Sequence, residues 1–435
     1  MENVVLESWL PQGDGENLFQ EIKKVKLQAE AKGIDCFNLG VGAPPGAPVQ
    51  SARDGASEAI LSGLESMHEY QDNGEPGMSG FAKSFIRANV GDTVNWDTVS
   101  EKDMECFPIS ETDSISEKDM ECFPIPGIKS MIGLIPLACG CFARGPGRIF
   151  EEGKLPYPTL KVMGMTDPGY PVPQTWAERY LGNDYKHLTT NPENNFVVSA
   201  EEVAGHCPNL LMLNYPHNPS GQISTEFLWK ELLPVCVENG IRVFNDAAYA
   251  MHDHSGEHIT LTEAALKTSG LSWAESCSSS KVIGNGTGWR IGAMAGSPDF
   301  IADIKTIKGN ADSGPNAALA TGVKYAVEND MASIDAIREI YARRIKVLKD
   351  ILIVHGLRLA VDPKAGFFTL WQTPRRAFGQ DIRDAKHFNY LMIEKTGLIG
   401  VHFHPYIRYA VVADIEEPNF LKAIKCAFKM ANVEY

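Results

Sequence analysis

A chain that alternates short apolar runs with helical stretches has few folds open to it, and from about Lys161 onward this chain does so repeatedly. The apolar runs are LKVMGM, LLMLNY, IRVFND, SWAESC and IGAMAG. Their hydrophobic residues are continuous rather than alternating, which is typical of strands buried on both faces. Strands separated by helices predict a parallel sheet with crossover helices. We therefore predict an α/β fold with a large domain, in which helices flank a mainly parallel sheet.

The two ends of the chain follow other patterns and indicate a second domain. Apolar residues at helical spacing predict a helix over residues 17–33 and a longer one over 333–352. After the longer helix, GFFTLWQTP and YIRYAVVAD predict two strands flanking a helical segment. The length of 435 residues also exceeds the roughly 100–200 residues of one typical domain. We expect an N-terminal arm with part of the small domain in residues 1–47, the large domain in 48–310, and a smaller α+β domain in 311–435.

The charge of the chain argues against some classes of partner. Forty Lys and Arg residues are outnumbered by 55 Asp and Glu residues, which gives a net charge of −15. Proteins that bind bulk nucleic acid usually carry a basic surplus, so neither nucleic acid nor an anionic membrane surface is expected. The longest uncharged stretch, residues 130–143, is shorter than the roughly 20 residues of a transmembrane helix. The acidic N-terminal segment also lacks the pattern of a signal or transit peptide.

Cysteine and histidine residues give no sign of a disulfide framework or a metal site. The nine cysteines are odd in number and scattered, and no C-x-x-C motif occurs. We interpret them as reduced thiols of a cytoplasmic protein. The pairs His252/His254 and His402/His404, like the single His217, lack the spacing and the carboxylate signature of metal ligands. No metal is therefore expected.

The decapeptide SEKDMECFPI occurs at Ser100–Ile109 and again, without change, at Ser116–Ile125. Two copies are too few for a solenoid and indicate a local duplication. The second copy leads directly into PGIKSM. We expect one copy to form the strand that enters this motif. The other is expected to be a surface insertion, because long surface loops add little closure entropy.

Four polar motifs follow predicted strands in a fixed order. They are PGIK at Pro126–Lys129, NYPHNPSG at Asn214–Gly221, NDAAY at Asn245–Tyr249 and SSSKVIGNGTGWRIG at Ser278–Gly292. Each motif alone is also compatible with a turn, a glycine-rich loop or a buried strand end. Together they lie at the carboxyl ends of predicted strands, where open α/β sheets bind ligands. They offer a lysine, an aspartate, an asparagine, a tyrosine, an arginine and backbone amides, which are the groups needed to hold pyridoxal phosphate.

With these motifs in this order, the chain resembles the class I/II aminotransferases among the fold-type I pyridoxal-phosphate enzymes. The resemblance extends from LGVGAP to YIRYAVVAD and covers nearly the whole chain. The segment LFQEI…AKGIDCFNLGVG is similar to the group that contains LL-diaminopimelate and aspartate aminotransferases. The resemblance implies a fold-type I transferase with pyridoxal 5′-phosphate as its cofactor.

The resemblance also implies roles for residues around the cofactor ring. Lys281 matches the lysine that forms an imine with the cofactor, and Asp246 matches the carboxylate that pairs with the pyridine nitrogen. Asn218 and Tyr249 match the donors to the 3′ oxygen, and Tyr170, in DPGYP, matches the aromatic that stacks on the ring. The freed lysine amine can act as general base at the substrate Cα, which requires a lowered pKa. Lys281, Asp246 and Tyr249 are the expected catalytic residues.

A second set of residues is expected to bind the cofactor phosphate. Gly127, Ile128 and Lys129 resemble the phosphate loop that opens a helix, where backbone N–H groups favour an anion. Ser278 and Arg290 match further phosphate ligands. The chain departs from most family members in having one more residue between the lysine and Arg290.

Two further expectations concern the substrate and the neighbouring subunit. Arg408 matches the arginine that grips the substrate α-carboxylate, with Gly42 and Asn218 beside it. A guanidinium offers a planar fork that binds a carboxylate at two points. Tyr70, in EYQDNGEPG, resembles the tyrosine that reaches the cofactor phosphate of the neighbouring subunit. The resemblance therefore implies a homodimer.

The predicted function is transfer of an amino group from an L-amino acid to a 2-oxo acid, by a ping-pong mechanism through the Lys281 imine. A same-fold lyase, such as a β C–S lyase or an aminocyclopropane-carboxylate synthase, shares the lysine, aspartate and arginine, so the motifs do not separate the two. A non-catalytic, ligand-sensing homologue fused to a DNA-binding domain is disfavoured, because the first motif begins near Leu39. Simpler roles also stay open: Asp246 as a solvated strand end, Tyr170 as a core residue and Tyr70 as an ordinary interface aromatic.

Overall fold

The computed structural model of the chain describes residues 18–74, 76–78, 80–91, 94, 96, 120–140 and 160–435. Its α-helices are α1 Leu18–Ala31, α2 Gln50–Leu61, α3 Phe81–Val90, α4 Ile128–Ile132, α5 Leu134–Ala138, α6 Val172–Gln174, α7 Ala200–His206, α8 Glu226–Glu238, α9 Leu261–Ala265, α10 Ser279–Val282, α11 Pro298–Lys308, α12 Ala317–Asn329, α13 Met331–Val354, α14 Ala385–Thr396 and α15 Pro418–Ala431. Its strands are β1 Phe37–Asn38, β2 Glu121–Ile125, β3 Lys161–Gly164, β4 Asp184–His187, β5 Leu210–Leu213, β6 Arg242–Asp246, β7 Trp273–Ser278, β8 Gly292–Gly296, β9 Leu359–Val361, β10 Phe368–Gln372, β11 Arg376–Ala377, β12 Gln380–Asp381, β13 Leu398–Ile399, β14 Val401–Phe403 and β15 Tyr406–Ala410.

The large sheet of the described residues has seven strands in the spatial order β2-β8-β7-β6-β5-β3-β4. The strands β3, β4, β5, β6 and β7 pair in parallel. Strand β8 is antiparallel to both of its neighbours, β7 and β2, so β2 runs in the same direction as the other five. The mainly parallel sheet predicted from the apolar runs is confirmed, and the run IGAMAG, which forms β8, is the exception in direction.

The two faces of this sheet pack into separate hydrophobic cores, which explains the unbroken apolar runs. Leu211 and Leu213 of β5 lie in one core, while Leu210 and Met212 lie in the other. Helices α2, α3, α8 and α12 contribute to the first core, and α4, α5 and α11 to the second. Successive strand residues point to opposite faces, so a strand covered on both sides needs an apolar residue at every position. Each fully buried side chain of this size contributes about 1.5–3 kcal/mol.

A second sheet, with the order β14-β15-β10-β9, is antiparallel throughout. The predicted strands GFFTLWQTP and YIRYAVVAD form its two central members, β10 and β15, which pair from Phe368↔Ala410 to Gln372↔Tyr406. Helices α13, α14 and α15 pack with this sheet in a third core. Helix α1 packs through Ile22 and Val25 against Ile393 of α14. The helices predicted over 17–33 and 333–352 are thus confirmed as α1 and α13.

The packing of α12 bears on where the large domain ends. Ala320 and Val323 of α12 belong to the large-domain core, and a Cβ added at Gly322 would lie 2.3 Å from the carbonyl oxygen of Ala52 in α2. Only glycine allows that close approach between the two helices. The division into residues 1–47, 48–310 and 311–435 stays a prediction. Ile334 of α13 lies in the same core as α12, whereas Tyr341 of α13 lies in the core of the second sheet, so these contacts favour a proposed boundary inside α13 rather than at residue 310.

The second copy of the repeated decapeptide supplies the strand that was expected of it. Its residues Glu121–Ile125 form β2, which pairs with β8 over five consecutive positions and leads into Pro126. The first copy, at residues 100–109, lies outside the described residues. No α-helix in the described part of the chain is long and apolar enough to cross a bilayer.

Candidate active site

The four sequence motifs meet at one edge of the large sheet. The strands β2, β5, β6 and β7 end there, and β8 begins there because it runs in the opposite direction. Asn214 directly follows β5, Asp246 is the last residue of β6, and Ser278 is the last residue of β7. Arg290 precedes β8 and so reaches the same edge from the other direction. The reversed strand therefore brings its motif to the predicted place.

Asp246 is held in a half-buried position by neighbouring backbone. Its Oδ1 accepts a hydrogen bond from the N–H of Ala248 at 3.1 Å. Asn214 donates from Nδ2 to the Asp246 carbonyl at 2.8 Å. Burial raises the pKa of Asp246 to about 6, against the opposing effects of the Ala248 N–H and the Lys281 ammonium. A carboxylate that burial destabilises gains most from a cation placed beside it, such as a protonated ring nitrogen.

Lys281 lies in α10, the short helix that follows β7, and its side chain is half-buried. Burial lowers the pKa of Lys281 to about 8; the Asp246 carboxylate acts in the opposite direction, while the Arg290 and Arg408 guanidiniums lower the pKa further. An amine with this pKa is partly neutral near neutral pH. It can therefore act as a nucleophile and as a proton carrier without a large cost of deprotonation.

The predicted phosphate loop packs against Arg290. Gly127, with φ of +80°, begins the loop, and a Cβ at this position would lie 2.7 Å from Nη2 of Arg290. That Nη2 donates to the carbonyl of Pro126 at 3.3 Å, and Nη1 donates to the carbonyl of Thr287 at 3.1 Å. The guanidinium thus lies beside the loop despite the extra residue that separates it from the lysine. A cation beside the backbone N–H groups at the start of a helix forms a suitable anion site.

Ser278 is buried at the end of β7, next to the lysine helix. Its Oγ donates to Oγ of Ser280 at 2.9 Å and accepts the Ser280 N–H at 3.2 Å. The hydroxyl therefore caps the first turn of α10. This contact fixes the start of the helix that carries Lys281.

Arg408 is fully enclosed on β15 of the second sheet. Nη1 donates to Oδ1 of Asn218 at 2.8 Å, and Nη2 donates to the carbonyl of Gly40 at 2.7 Å. The guanidinium carbon lies 4.2 Å from the ring centre of Phe368 and 5.2 Å from that of Phe403. Burial lowers the pKa of Arg408 to about 10, partly opposed by Tyr249, so the side chain stays charged at neutral pH.

The donor capacity of Arg408 is only partly used. Its Nε is buried and has no partner among the described residues. A guanidinium has five N–H donors, and the two bonds to Asn218 and Gly40 occupy two of them. An orphaned buried donor costs about 1–3 kcal/mol, which favours an anionic ligand at this position.

Two tyrosines complete the predicted ring site. Tyr249 is buried, with its ring edge-on to Phe367 and Phe368 at 5.4 Å between centres. Burial raises the pKa of Tyr249 well above its usual range. Burial also raises the pKa of half-buried Tyr170 to about 12; the nearby Asp246 carboxylate adds to this effect and Arg290 opposes it. Both phenols therefore stay protonated donors at neutral pH.

The structure brings most of the predicted site residues together, but not all of them. Ile128 is buried in the core under the phosphate loop, and Gly42 packs toward Phe368. Tyr70 is 78% exposed and Lys129 is also exposed. Within the described residues, neither side chain forms a hydrogen bond to another member of the site. Their roles stay predictions.

Three contributors were not singled out from the sequence. Asn214 links the Asp246 carbonyl to the backbone of Asn218, whose N–H it accepts at 3.0 Å. Its place as the first residue of NYPHNPSG was a signal for it. The carbonyl of Gly40, rather than Gly42, accepts from Arg408. Phe368 supports both Arg408 and Tyr249, and no local signal in GFFTLWQTP marks it.

Comparison with known proteins decides the family. Residues 172–425 match the family model described as aminotransferase class I and II. The chain belongs to this family. The resemblance predicted from the four motifs is confirmed, and the protein is a pyridoxal-phosphate-dependent aminotransferase.

Relatives of this aminotransferase agree over almost its full length. It is 27% identical over 412 residues to the LL-diaminopimelate aminotransferase of Syntrophobacter fumaroxidans, with 92% of each chain covered. It is 24% identical over 413 residues to the enzyme of the same name from Natranaerobius thermophilus, with 91% of this chain and 92% of that one covered. No finding favours the alternative of a same-fold lyase.

Solved structures share the fold of this aminotransferase. A single mutant of the Thermus thermophilus aspartate aminotransferase superposes with a TM-score of 0.76 at 19% identity, covering 98% of this chain and 99% of that one. A substrate-bound BacF structure from Bacillus subtilis gives 0.75 at 18% identity, with coverage of 97% and 96%. The predicted fold-type I architecture is therefore confirmed.

The donor set of this aminotransferase fits pyridoxal phosphate. Arg290 with the loop at Gly127 suits a phosphate, the carboxylate of Asp246 suits a ring cation, and the Lys281 amine suits an aldehyde. When bound, the cofactor supplies a sink for the electrons released at the substrate Cα. Among the described residues, no group of three His, Cys, Asp or Glu side chains is arranged to hold a metal ion.

Proposed function

We propose that this enzyme transfers the amino group of an L-amino acid to a 2-oxo acid by a ping-pong mechanism, with Lys281 as the covalent anchor of the cofactor and the proton carrier. The observation that carries the proposal is the convergence of three opposing charges on one lysine. Asp246 raises the pKa of Lys281, while Arg290 and Arg408 lower it together with burial. These three groups come from three separate segments of the chain and act on a single amine.

Each cofactor contact in the proposal follows from a position at the sheet edge. Asp246 would balance the charge of the ring nitrogen. Asn218 accepts from Arg408 through Oδ1, so its Nδ2 is left to donate to the 3′ oxygen together with the hydroxyl of Tyr249. Tyr170 would cover one face of the ring. These assignments use the raised phenol pKa values, which keep both tyrosines as donors.

The phosphate is assigned to the loop and to the cations around it. Gly127, Ile128 and Lys129 offer backbone N–H groups, Ser278 a hydroxyl and Arg290 a guanidinium. Arg290 is exposed, so its attraction for an anion is screened until the site closes around the ligand. These residues would hold the cofactor phosphate, so the cofactor would stay in the site whether or not it is bonded to Lys281.

Arg408 is assigned to the substrate α-carboxylate, beside Asn218 and Gly42. Lysine at this position would keep a positive charge but lose the planar fork. We expect Arg408→Lys to raise KM roughly 10–100-fold, the loss of one charged hydrogen bond, with little change in cofactor affinity. Steady-state kinetics and a cofactor titration measure the two effects separately.

The control for that variant is Arg358→Lys, which changes an exposed arginine that stacks on the ring of Tyr435. It should leave KM unchanged. If Arg408→Lys instead released the cofactor while KM stayed normal, Arg408 would have been assigned to the wrong ligand.

We also propose that the enzyme is a cytoplasmic homodimer. Leu61, Leu64 and Tyr70 are 82%, 62% and 78% exposed, and exposed apolar side chains in one region are typical of a protein interface. A second copy is the partner of choice, because Tyr70 is proposed to reach its phosphate site. The described cysteines are in the thiol form, which a reducing compartment would maintain.

The substrate can be tested without assuming its side chain. Purified holoenzyme should lose the absorbance band of the lysine-bound cofactor when its amino donor is added, because the first half-reaction then runs to completion. LL-diaminopimelate and aspartate, taken from the names of a relative and a structural neighbour, form the first panel, with glutamate and alanine added as further common amino donors. Parallel double-reciprocal lines with a 2-oxo acid acceptor would support the ping-pong order. Release of ammonia or a sulfur leaving group without an acceptor would overturn the proposal.

A further inference from the structure

Lys308, the last residue of α11, has no exposed surface. Its Nζ donates to Oδ1 of Asp312 at 2.8 Å and to the backbone carbonyl of Asp72 at 2.6 Å. Lysine is almost never fully buried unless its charge is paired, because an uncompensated buried charge is strongly destabilising. The ammonium therefore ties residue 72 firmly to the end of α11.

The same two segments are joined at further points. The N–H of Gln71 donates to the carbonyl of Ser313 at 3.0 Å. Asp312 also accepts the N–H of Gly314 through Oδ1 at 2.8 Å. Gly314 has φ of +89°, and a Cβ there would lie 2.5 Å from the carbonyl carbon of Gln71. Residues 308–314 thus hold the backbone of residues 71–72 in place through two hydrogen bonds and a close packing contact.

These contacts all fall immediately after Tyr70. The Gln71 side chain is buried and donates to the carbonyls of Ser66 and Glu69, at 2.9 and 3.2 Å. The backbone on both sides of Tyr70 is therefore fixed, while the tyrosine itself is 78% exposed. A fixed loop with one exposed side chain is pre-organised to bind a ligand outside its own subunit. Little conformational entropy of the loop is lost when that ligand binds.

We propose that Lys308 is a positioning residue for catalysis in the neighbouring subunit. By donating to the carbonyl of Asp72, Lys308 holds Tyr70 in the position from which it would contact the cofactor phosphate of the partner subunit. The proposal rests on the proposed homodimer and on the cross-subunit role of Tyr70. It adds a residue that touches neither cofactor nor substrate and that governs cofactor retention in the other subunit.

The first test compares cofactor affinity of apo-dimers by fluorescence titration with pyridoxal phosphate. Lys308→Met, which keeps the stem and removes the ammonium, should weaken cofactor binding about tenfold, as should Tyr70→Phe, since each loses one hydrogen bond to a charged group. The double variant should be no weaker than either single one, because both remove the same contact. Lys305→Met is the matched control: Lys305 lies on the same helix but pairs with Glu121 at 2.7 Å, and its loss should not change the affinity.

The second test uses hybrid dimers, purified through two different tags after coexpression. One chain carries Lys281→Ala and an intact Lys308; the other carries Lys308→Met and an intact Lys281. The only complete cofactor lysine in the hybrid then receives Tyr70 from the chain with intact Lys308. Because the Lys281→Ala site can also hold pyridoxal phosphate, the titration follows the absorbance band of the lysine-bound cofactor, which only the intact site gives. The affinity of that site should match the wild type, whereas a role of Lys308 within its own subunit would leave the affinity weakened and would overturn the proposal.

The outcomes distinguish the proposed cross-subunit contact of Tyr70 from the proposed role of Lys308. If Tyr70→Phe leaves affinity unchanged, the cross-subunit contact in the proposed function is wrong. If Tyr70→Phe weakens binding but Lys308→Met changes only the melting temperature, the contact stands and the role of Lys308 is wrong. Should Lys308→Met fail to form a folded dimer, Gly314→Ala replaces it in both tests, because its Cβ pushes on Gln71 without removing a charge. Normal affinity in that variant would equally overturn the proposal.

Discussion

Lys281→Ala should give a folded protein that still binds pyridoxal phosphate but carries out transamination several orders of magnitude more slowly. The substitution removes the residue proposed as both the covalent anchor and the proton carrier, and general acid–base catalysis alone contributes about 10²–10⁴-fold. The phosphate loop, Arg290 and Asp246 are untouched, so non-covalent cofactor binding should persist. The visible band of the lysine-bound cofactor should be absent.

The position of the cofactor can be checked directly in the wild-type enzyme. Borohydride reduction followed by peptide mapping should place the pyridoxyl label on Lys281. The control Lys305→Ala should keep both the band and the turnover, since that lysine pairs with Glu121 of β2 and has no proposed role in the site. A label on Lys129 or Lys305, or near-normal turnover of Lys281→Ala, would contradict the assignment.

Asp246→Asn should reduce kcat by about 10²–10³-fold, the usual cost of removing one preorganised electrostatic group from a reaction centre. Asparagine keeps the size of the side chain and can still accept from the Ala248 N–H, but it has no charge to keep a ring nitrogen protonated. The single-turnover rate of proton removal from the substrate Cα measures this effect without the product-release step.

The raised pKa of Asp246 also predicts a difference in pH dependence between the wild type and this variant. In the apo-protein burial raises the pKa to about 6, so below pH 6 the carboxyl becomes neutral and attracts a ring cation less. Cofactor affinity of the wild type should therefore fall as the pH drops through 6, and Asp246→Asn should lack that component. The matched control is Asp184→Asn, an exposed carboxylate at the start of β4, which should behave as the wild type. A wild type without a decline near pH 6 would speak against ion pairing at Asp246.

The sequence predicts a segment best when the same physical requirement, such as burial, applies to every residue in it. Each position of β5 is covered by a core on one side or the other, so its unbroken apolar run predicts a strand buried on both faces. The motifs that follow such runs could then be placed at one edge. The direction of β8 could not be predicted, because an apolar run reads the same in either direction.

The missed contributors depend on contacts between distant segments. Phe368 lies under Arg408 because β10 and β15 pair side by side, with Leu370 opposite Arg408. The two residues are some forty positions apart, and the register of the two strands is not known from the sequence. A local pattern therefore cannot predict this contact. Likewise, the assignment of α12 depends on the close approach of Gly322 to Ala52, which a helical periodicity does not specify.

The residues proposed to bind the cofactor and the substrate come from two different sheets. Lys281 and Asp246 stand on the large sheet, whereas Arg408 belongs to the smaller antiparallel sheet and donates a hydrogen bond to Asn218. The proposed substrate contact and the proposed cofactor anchor are therefore carried by separate sheets, and the bond between Arg408 and Asn218 joins them. A shift of β15 against the large sheet would move the guanidinium relative to Lys281, whose pKa it lowers. The packing between the two sheets thus sets both where a substrate carboxylate would be bound and how readily the lysine amine loses its proton.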